Sequence, residues 1–231
     1  MTKKLTILFT PVNAYGHVNS CVGVAEILSS RGHTIVFMVN QSFKGAFIKR
    51  GFQEEIIERD VNGNQIMERD MNEEEKRNSL GYLIETLKKA GLFDDLSAFE
   101  KHKNCSQLME SVTREENQII QNIIKRLKPD VIVVDFISAP AIFKSGIPWV
   151  NLISAQILTV IDDPRTPPGW SGLPTYDNSQ WKKYREMIKD TIEFSKEKHY
   201  QLFKEEGVKR FPDDKLIESP YLNIYAYPKE L

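Results

Sequence analysis

Residues 5–31 read LTILFTPVNAYGHVNSCVGVAEILSSR, and the fold turns on this stretch. Leu5 to Phe9 form a short apolar run in which Ile7, Leu8 and Phe9 are consecutive. Such a run suits a strand covered on both faces, as in a parallel sheet. Pro11, Asn13 and Gly16 mark a loop. From Val18 the apolar spacing changes: Val18, Cys21, Val22, Ala25 and Leu28 recur at three and four, the period of a helix. Gly32 is expected to end that helix, and Thr34 to Val39 supply a second, β-branched strand. Strand, helix, strand is one crossover unit of a parallel sheet. His17 falls where the helix begins, beside the carboxyl end of the first strand, which is where open α/β sheets place ligands.

Working outward, strands and helices keep alternating. Asn40 to Arg50 reads as a short helix with Phe43, Phe47 and Ile48 facing inward, Ser42 as cap and Gly51 as stop. Phe52 to Ile57 follows as a third strand. The stretch from Arg59 to Arg77 is polar, carries the turn signal Asn62-Gly63-Asn64 and reads as a loop. Its acidic run Glu73-Glu74-Glu75 suits a solvated helix start better than a cation site. Helices are expected from Leu80 to Leu92 and from about Ser106 to Leu127, the second with Ile119, Ile120, Ile123, Ile124 and Leu127 on its apolar side. Val131 to Val134 is the clearest buried strand, and Asp135 follows at its carboxyl end. Ser138 to Lys144 makes a short helix stopped by Gly146, and Pro148 to Ile153 another strand. Residues 162–174, DDPRTPPGWSGLP, form an irregular loop; Trp181 to Phe203 is an amphipathic helix and Leu222 to Tyr225 a last strand. The alternation predicts an α/β domain, a doubly wound parallel sheet of Rossmann-like kind.

Composition excludes several classes of function. The chain has 231 residues, with 31 Lys and Arg against 32 Asp and Glu, so no basic field favours nucleic acid. No apolar run approaches the ~20 residues of a membrane-spanning helix. Lys3, Lys4 and the LTILF run resemble a short signal peptide, but Pro11 and Asn13 interrupt the run and no small-residue cleavage site follows. Two cysteines, Cys21 and Cys105, make no disulfide framework, and Cys21 lies on the apolar face of the first helix. The expectation is a cytoplasmic protein. His33, His102 and His199 share no ligand spacing with cysteines or carboxylates, so no metal site is predicted. No G-x-G-x-x-G follows a strand and no G-x-x-x-x-G-K-[ST] occurs.

Two residues are placed to do chemistry. For His17 the bland reading is a partly buried polar residue at a helix start. Against it, Gly16 is expected to let the backbone turn sharply and a ligand approach closely. The helix N-terminus also disfavours imidazolium, and a neutral ring can act as a general base. For Asp135 the bland reading is a cap for the following helix. If the strands order 3-2-1-4-5, the first strand and the Val131 to Val134 strand are neighbours, and His17 and Asp135 face each other across the crevice between them. The carboxylate then orients the imidazole and stabilises its charge. No serine or cysteine nucleophile is needed when the substrate carries its own hydroxyl.

At these residues the chain resembles UDP-dependent glycosyltransferases of family 1 with the GT-B fold. The likeness lies in ILFTPVNAYGHVNSCVGVAEILSSRGHTIVFM (7–38), with its Gly-His pair and R-G-H-T, in PDVIVVDF (129–136), and in PPGWSGLP (167–174). It covers residues 1–231 but only the amino-terminal, acceptor-binding half of such an enzyme. The resemblance implies that His17 is the base that deprotonates an acceptor hydroxyl and that Asp135 is its partner. The oxygen would then attack the anomeric carbon of a UDP-sugar and invert its configuration. The implied acceptor is a small lipophilic molecule. Tyr15, Phe136, Gln156 and Trp170 lie on loops that would line its site. One departure is Ser20, where many relatives carry proline. A larger one is that the nucleotide-sugar signature of the second domain, a P-Q followed by H-x-G-x-x-S/G and a glutamate, does not occur here. The implied chain is therefore a fragment, a truncated product or one half of a split enzyme. It would bind no cofactor itself and need a carboxy-terminal nucleotide-sugar domain in cis or in trans. A non-catalytic module that binds lipophilic compounds is the alternative.

Overall fold

A computed structural model describes residues 3–57, 114, 116–135, 139–155, 163–169, 171–209 and 218–226. Six strands form one sheet: β1 (Thr6–Thr10), β2 (Thr34–Asn40), β3 (Gln53–Ile57), β4 (Val131–Val134), β5 (Trp149–Ile153) and β6 (Leu222–Tyr225). Their order is β3-β2-β1-β4-β5-β6, and every neighbouring pair is parallel. Strand order reverses direction between β1 and β4, which makes their carboxyl ends the switch-point crevice of the sheet.

The consecutive apolar residues of β1 are explained by layers on both faces. Ile7 and Phe9 pack with Val18, Cys21, Val22 and Ala25 of helix α1 (Tyr15–Ser30), the i, i+3, i+4, i+7 stripe. Leu8 points the other way, onto Ile120, Ile123 and Ile124 of helix α2 (residues 116–127) and Ile142 of the short helix α3 (Pro140–Lys144). Phe37 extends the first face, stacking on Phe9 at 5.1 Å and on Phe47 at 4.3 Å. Truncating such a buried ring to alanine typically costs about 3–5 kcal/mol, so this cluster is a main anchor of the β1–β2 side.

The R-G-H segment builds the turn from α1 into β2. The His33 N–H reaches Leu28 O at 3.3 Å and the Gly32 N–H reaches Ser29 O at 2.8 Å, the paired bonds of a Schellman stop. Gly32 sits at φ +88°, where a side chain would be strained. The His33 Nδ1 accepts the Leu5 N–H at 3.2 Å, so this histidine closes backbone and takes no part in the crevice. Asp130 does similar work at the start of β4. Its Oδ2 accepts the Thr6 N–H at 2.9 Å and its Oδ1 meets Lys3 Nζ at 3.0 Å. Those bonds, the backbone one foremost, hold its carboxyl below the usual range.

Two expectations are corrected. The short helix over residues 40–50 is instead two 3₁₀ turns, Gln41–Phe43 and Ile48–Arg50. The cause is Glu54 of β3, whose carboxylate accepts the Gly45 N–H at 2.7 Å and the Phe47 N–H at 2.8 Å. A side chain from the next strand thus competes for the donors a helix would use. Phe43 and Phe47 are buried as expected, but Ile48 is 64% exposed, and no side-chain cap is made at the first turn. Helix α1 also starts at Tyr15 rather than Val18, so Gly16 lies inside its first turn with no positive φ and makes no sharp turn. The expected helix over 80–92, the acidic run 73–75, His102 and Cys105 lie outside the described residues.

Helix α3 has Ala139 at its N-cap without a side-chain cap. The bond comes from another element: Asn117 of α2 accepts the Ala141 N–H at Oδ1, 2.6 Å away. Its Nδ2 donates to Glu206 Oε2 at 2.9 Å, just beyond helix α4 (Trp181–Glu205). Asn117 is buried, so Asn117→Ala leaves the α3 terminus without its acceptor and is expected to cost about 1–3 kcal/mol. Urea denaturation of wild type and variant measures this; coincident midpoints would count against the cap.

Candidate functional site

Three elements meet at the switch point. His17 is the third residue of α1, counting from the N-cap Ala14, and the charge of Asp135 therefore sits against the end of the helix dipole that favours it. Asp135 directly follows β4, and its own N–H reaches Thr10 O at 3.3 Å, so the β1–β4 ladder carries on to the site residue itself. Ser154 directly follows β5. The loop between β1 and α1 is held by Asn13, whose Oδ1 accepts the Asn40 N–H at the end of β2, 2.9 Å away.

Asp135 is fully buried, at 0% exposure, so its carboxylate has to be satisfied by donors. Oδ2 lies 2.7 Å from His17 Nδ1 and accepts the Val12 N–H at 3.4 Å. Oδ1 accepts the Ser154 hydroxyl at 2.7 Å and the Ser154 N–H at 3.3 Å. Ser154 Oγ also lies 2.6 Å from His17 Nδ1. Proton accounting assigns the tautomer. The single hydroxyl proton of Ser154 goes to Asp135 Oδ1, so Nδ1 carries its own proton and shares it between Asp135 Oδ2 and Ser154 Oγ. The proton-accepting position is then Nε2. The His17 side chain is 25% exposed, against complete burial of its partner.

Serine, histidine and aspartate together invite comparison with a hydrolase triad, and the geometry argues against one. In a triad the nucleophile and the carboxylate engage opposite ring nitrogens. Here both Ser154 and Asp135 meet Nδ1. Ser154 therefore supports the ring from behind and is not aimed to attack. Cys21 is no nucleophile either: burial, and then the charge of Asp135, push its thiol far above the ordinary range.

Of the residues singled out in the sequence, His17 and Asp135 are brought together. Tyr15, the first residue of α1, is 49% exposed and meets Phe43 edge-on at 5.2 Å. Phe136, Gln156 and Trp170 lie outside the described residues. Gly16 makes no turn, and among the described residues nothing lies within 4 Å of the place its Cβ would take. His199 packs on Phe203 at 4.5 Å, where burial lowers its pKa. Among the described residues no group of three His, Cys, Asp or Glu could hold a metal ion. Sequence reasoning missed Ser154. Its signal was available: it occupies the same place after β5 that Asp135 occupies after β4.

No protein-family model matches the chain. No curated protein matches it in sequence. Solved structures do. The glycosyltransferase SsfS6 from Streptomyces sp. SF2575 is similar over 98% of this chain and 51% of its own, with 14% identity and a TM-score of 0.53. The same enzyme complexed with thymidine diphosphate is similar over 98% of this chain and 50% of its own, with 16% identity and a TM-score of 0.50. The chain thus spans about half the length of the solved structures it matches. At this identity the likeness is one of fold. The six-stranded parallel sheet with flanking helices is a Rossmann-like α/β fold, similar to that found in these GT-B glycosyltransferases.

Proposed function

We propose that residues 1–231 form the acceptor-side half of an inverting glycosyltransferase, with His17 as general base and Asp135 as its orienter. The observation that carries this reading is the 2.7 Å His17 Nδ1–Asp135 Oδ2 contact at the β1/β4 crevice of a GT-B half. An acceptor hydroxyl placed at Nε2 gives its proton to the ring as its oxygen attacks the anomeric carbon of a nucleoside-diphosphate sugar. The carbon–oxygen bond to the diphosphate breaks, the diphosphate leaves, and configuration inverts. Asp135 stabilises the imidazolium formed. The acceptor is a small lipophilic alcohol or phenol, and the donor a UDP-hexose held by a carboxy-terminal nucleotide-sugar domain in cis or in trans. Tyr15, Phe136, Gln156 and Trp170 contribute to the acceptor site.

Holding donor and acceptor in line supplies much of the rate of such a transfer. Residues 1–231 alone are therefore expected to bind an acceptor and to transfer no sugar. Calorimetric titration of this chain with a panel of phenols and aliphatic alcohols measures the first. Incubation with UDP-glucose and the same panel measures the second. Saturable acceptor binding without glycoside supports the reading. Glycoside formed by this chain alone and abolished by His17→Ala would overturn the placement of the donor site elsewhere. Absence of acceptor binding across the panel would count against an acceptor domain.

A further inference from the structure

We propose that Ser154 is a positioning residue for the general base, acting through both His17 and Asp135; this rests on the reading of His17 just given. Three bonds close a cycle: His17 Nδ1 to Asp135 Oδ2 at 2.7 Å, His17 Nδ1 to Ser154 Oγ at 2.6 Å, and Ser154 Oγ to Asp135 Oδ1 at 2.7 Å. Each member comes from a different element, the first turn of α1, the end of β4 and the end of β5. The cycle exists only when all three are in register.

The physical need for a third group lies in the carboxylate. The terminal torsion of an aspartate is broad and nearly two-fold, so its direction is set by its surroundings. Ser154 grips Asp135 Oδ1 twice, with its hydroxyl and with its own N–H at 3.3 Å. That fixes the plane of the carboxylate and aims Oδ2 at the ring. The same hydroxyl oxygen then accepts from Nδ1–H, which gives the ring a second point of attachment. Two acceptors converging on one N–H hold the Nδ1-protonated tautomer, and Nε2 keeps the lone pair the reaction uses.

Volume and hydrogen bonding are separable at this position. Ser154→Ala removes the hydroxyl, Ser154→Cys keeps a similar volume with a poor donor and acceptor, and Ser154→Thr keeps the hydroxyl. The first readout is nitrogen NMR of the His17 ring in residues 1–231, which needs no donor half. Wild type and Ser154→Thr are expected to show the Nδ1-protonated tautomer with a slowly exchanging Nδ1–H. Ser154→Ala and Ser154→Cys are expected to show faster exchange of that proton and a mixture of tautomers, with unchanged far-ultraviolet circular dichroism. The second readout is turnover in the complete enzyme, where Ala and Cys lower kcat roughly tenfold and leave the acceptor KM in place. A wild-type ring signature in Ser154→Ala, or its restoration by Cys, overturns the proposal. A ring signature that moves as expected in an enzyme that transfers no sugar upholds the role of Ser154 and removes the glycosyl-transfer reading instead.

Discussion

If His17 is the base of a glycosyltransferase as proposed, His17→Ala in an enzyme that carries both halves is expected to lower kcat by about 10²–10⁴-fold, the range typical of a lost general base. The acceptor KM should change little. The imidazole is only 25% exposed and lies against Asp135 and Ser154, so most of what it touches is protein rather than acceptor. Without the ring, the acceptor hydroxyl must lose its proton to water as its oxygen attacks, and the attacking group is a poor nucleophile. The buried carboxylate of Asp135 keeps its bonds from Val12 and from Ser154, so the fold should survive the change. Steady-state rates of wild type and variant, measured on the same acceptor and donor, check the role directly. Unchanged kcat in His17→Ala would show that another group takes the proton.

Asp135→Asn is expected to lower kcat by up to about 10⁴-fold, a loss similar to or smaller than that of His17→Ala. The expectation follows from counting donors. Asp135 accepts from four groups: His17 Nδ1, Val12 N, Ser154 Oγ and Ser154 N. Asparagine offers one oxygen and one amide nitrogen with two protons. Whichever way the amide is placed, its nitrogen faces a backbone N–H that cannot accept, either that of Val12 or that of Ser154. With the nitrogen toward His17, the ring must present a bare Nδ1 and carry its proton on Nε2, where it cannot act as a base. With the nitrogen toward Ser154, the tautomer survives but the negative charge that stabilises imidazolium is gone. Either arrangement also destabilises the fold, and breaking a buried, charge-assisted network of this kind typically costs about 3–5 kcal/mol. Turnover and urea unfolding on the same preparation separate the two effects. A variant with full kcat and unchanged stability would show that the carboxylate neither orients the base nor supports the crevice.

How much of this was legible beforehand differs from residue to residue. β4 and β6 run over the residues predicted for them, and α4 runs from Trp181 to Glu205 where Trp181 to Phe203 was expected. These are local patterns: an uninterrupted apolar run has no exposed face to break it, and a helix of seven turns repeats its stripe often enough to be read. His17 and Asp135 were found by the same means, as polar residues directly after buried strands or at the next helix start. The 3-2-1-4-5 order that brings them together was a supposition in the sequence and is the observed order of five of the six strands.

Other features depend on partners far away in the chain, and no local pattern contains them. Glu54 lies in a strand by its own sequence, yet its carboxylate takes the amides of Gly45 and Phe47 and breaks an expected helix into two 3₁₀ turns. Asn117 caps a helix 24 residues away, where the local sequence supplies only Ala139. Ser154 is 137 residues from His17, and its hydroxyl is one among many in the sequence. Residue type and hydrophobic period determined the strands, the helices and which chemistry could stand at their ends. Only the tertiary structure decided that the ends of α1, β4 and β5 converge, because hydrogen bonds at 2.6–2.7 Å require a register that arises when both faces of the sheet are packed.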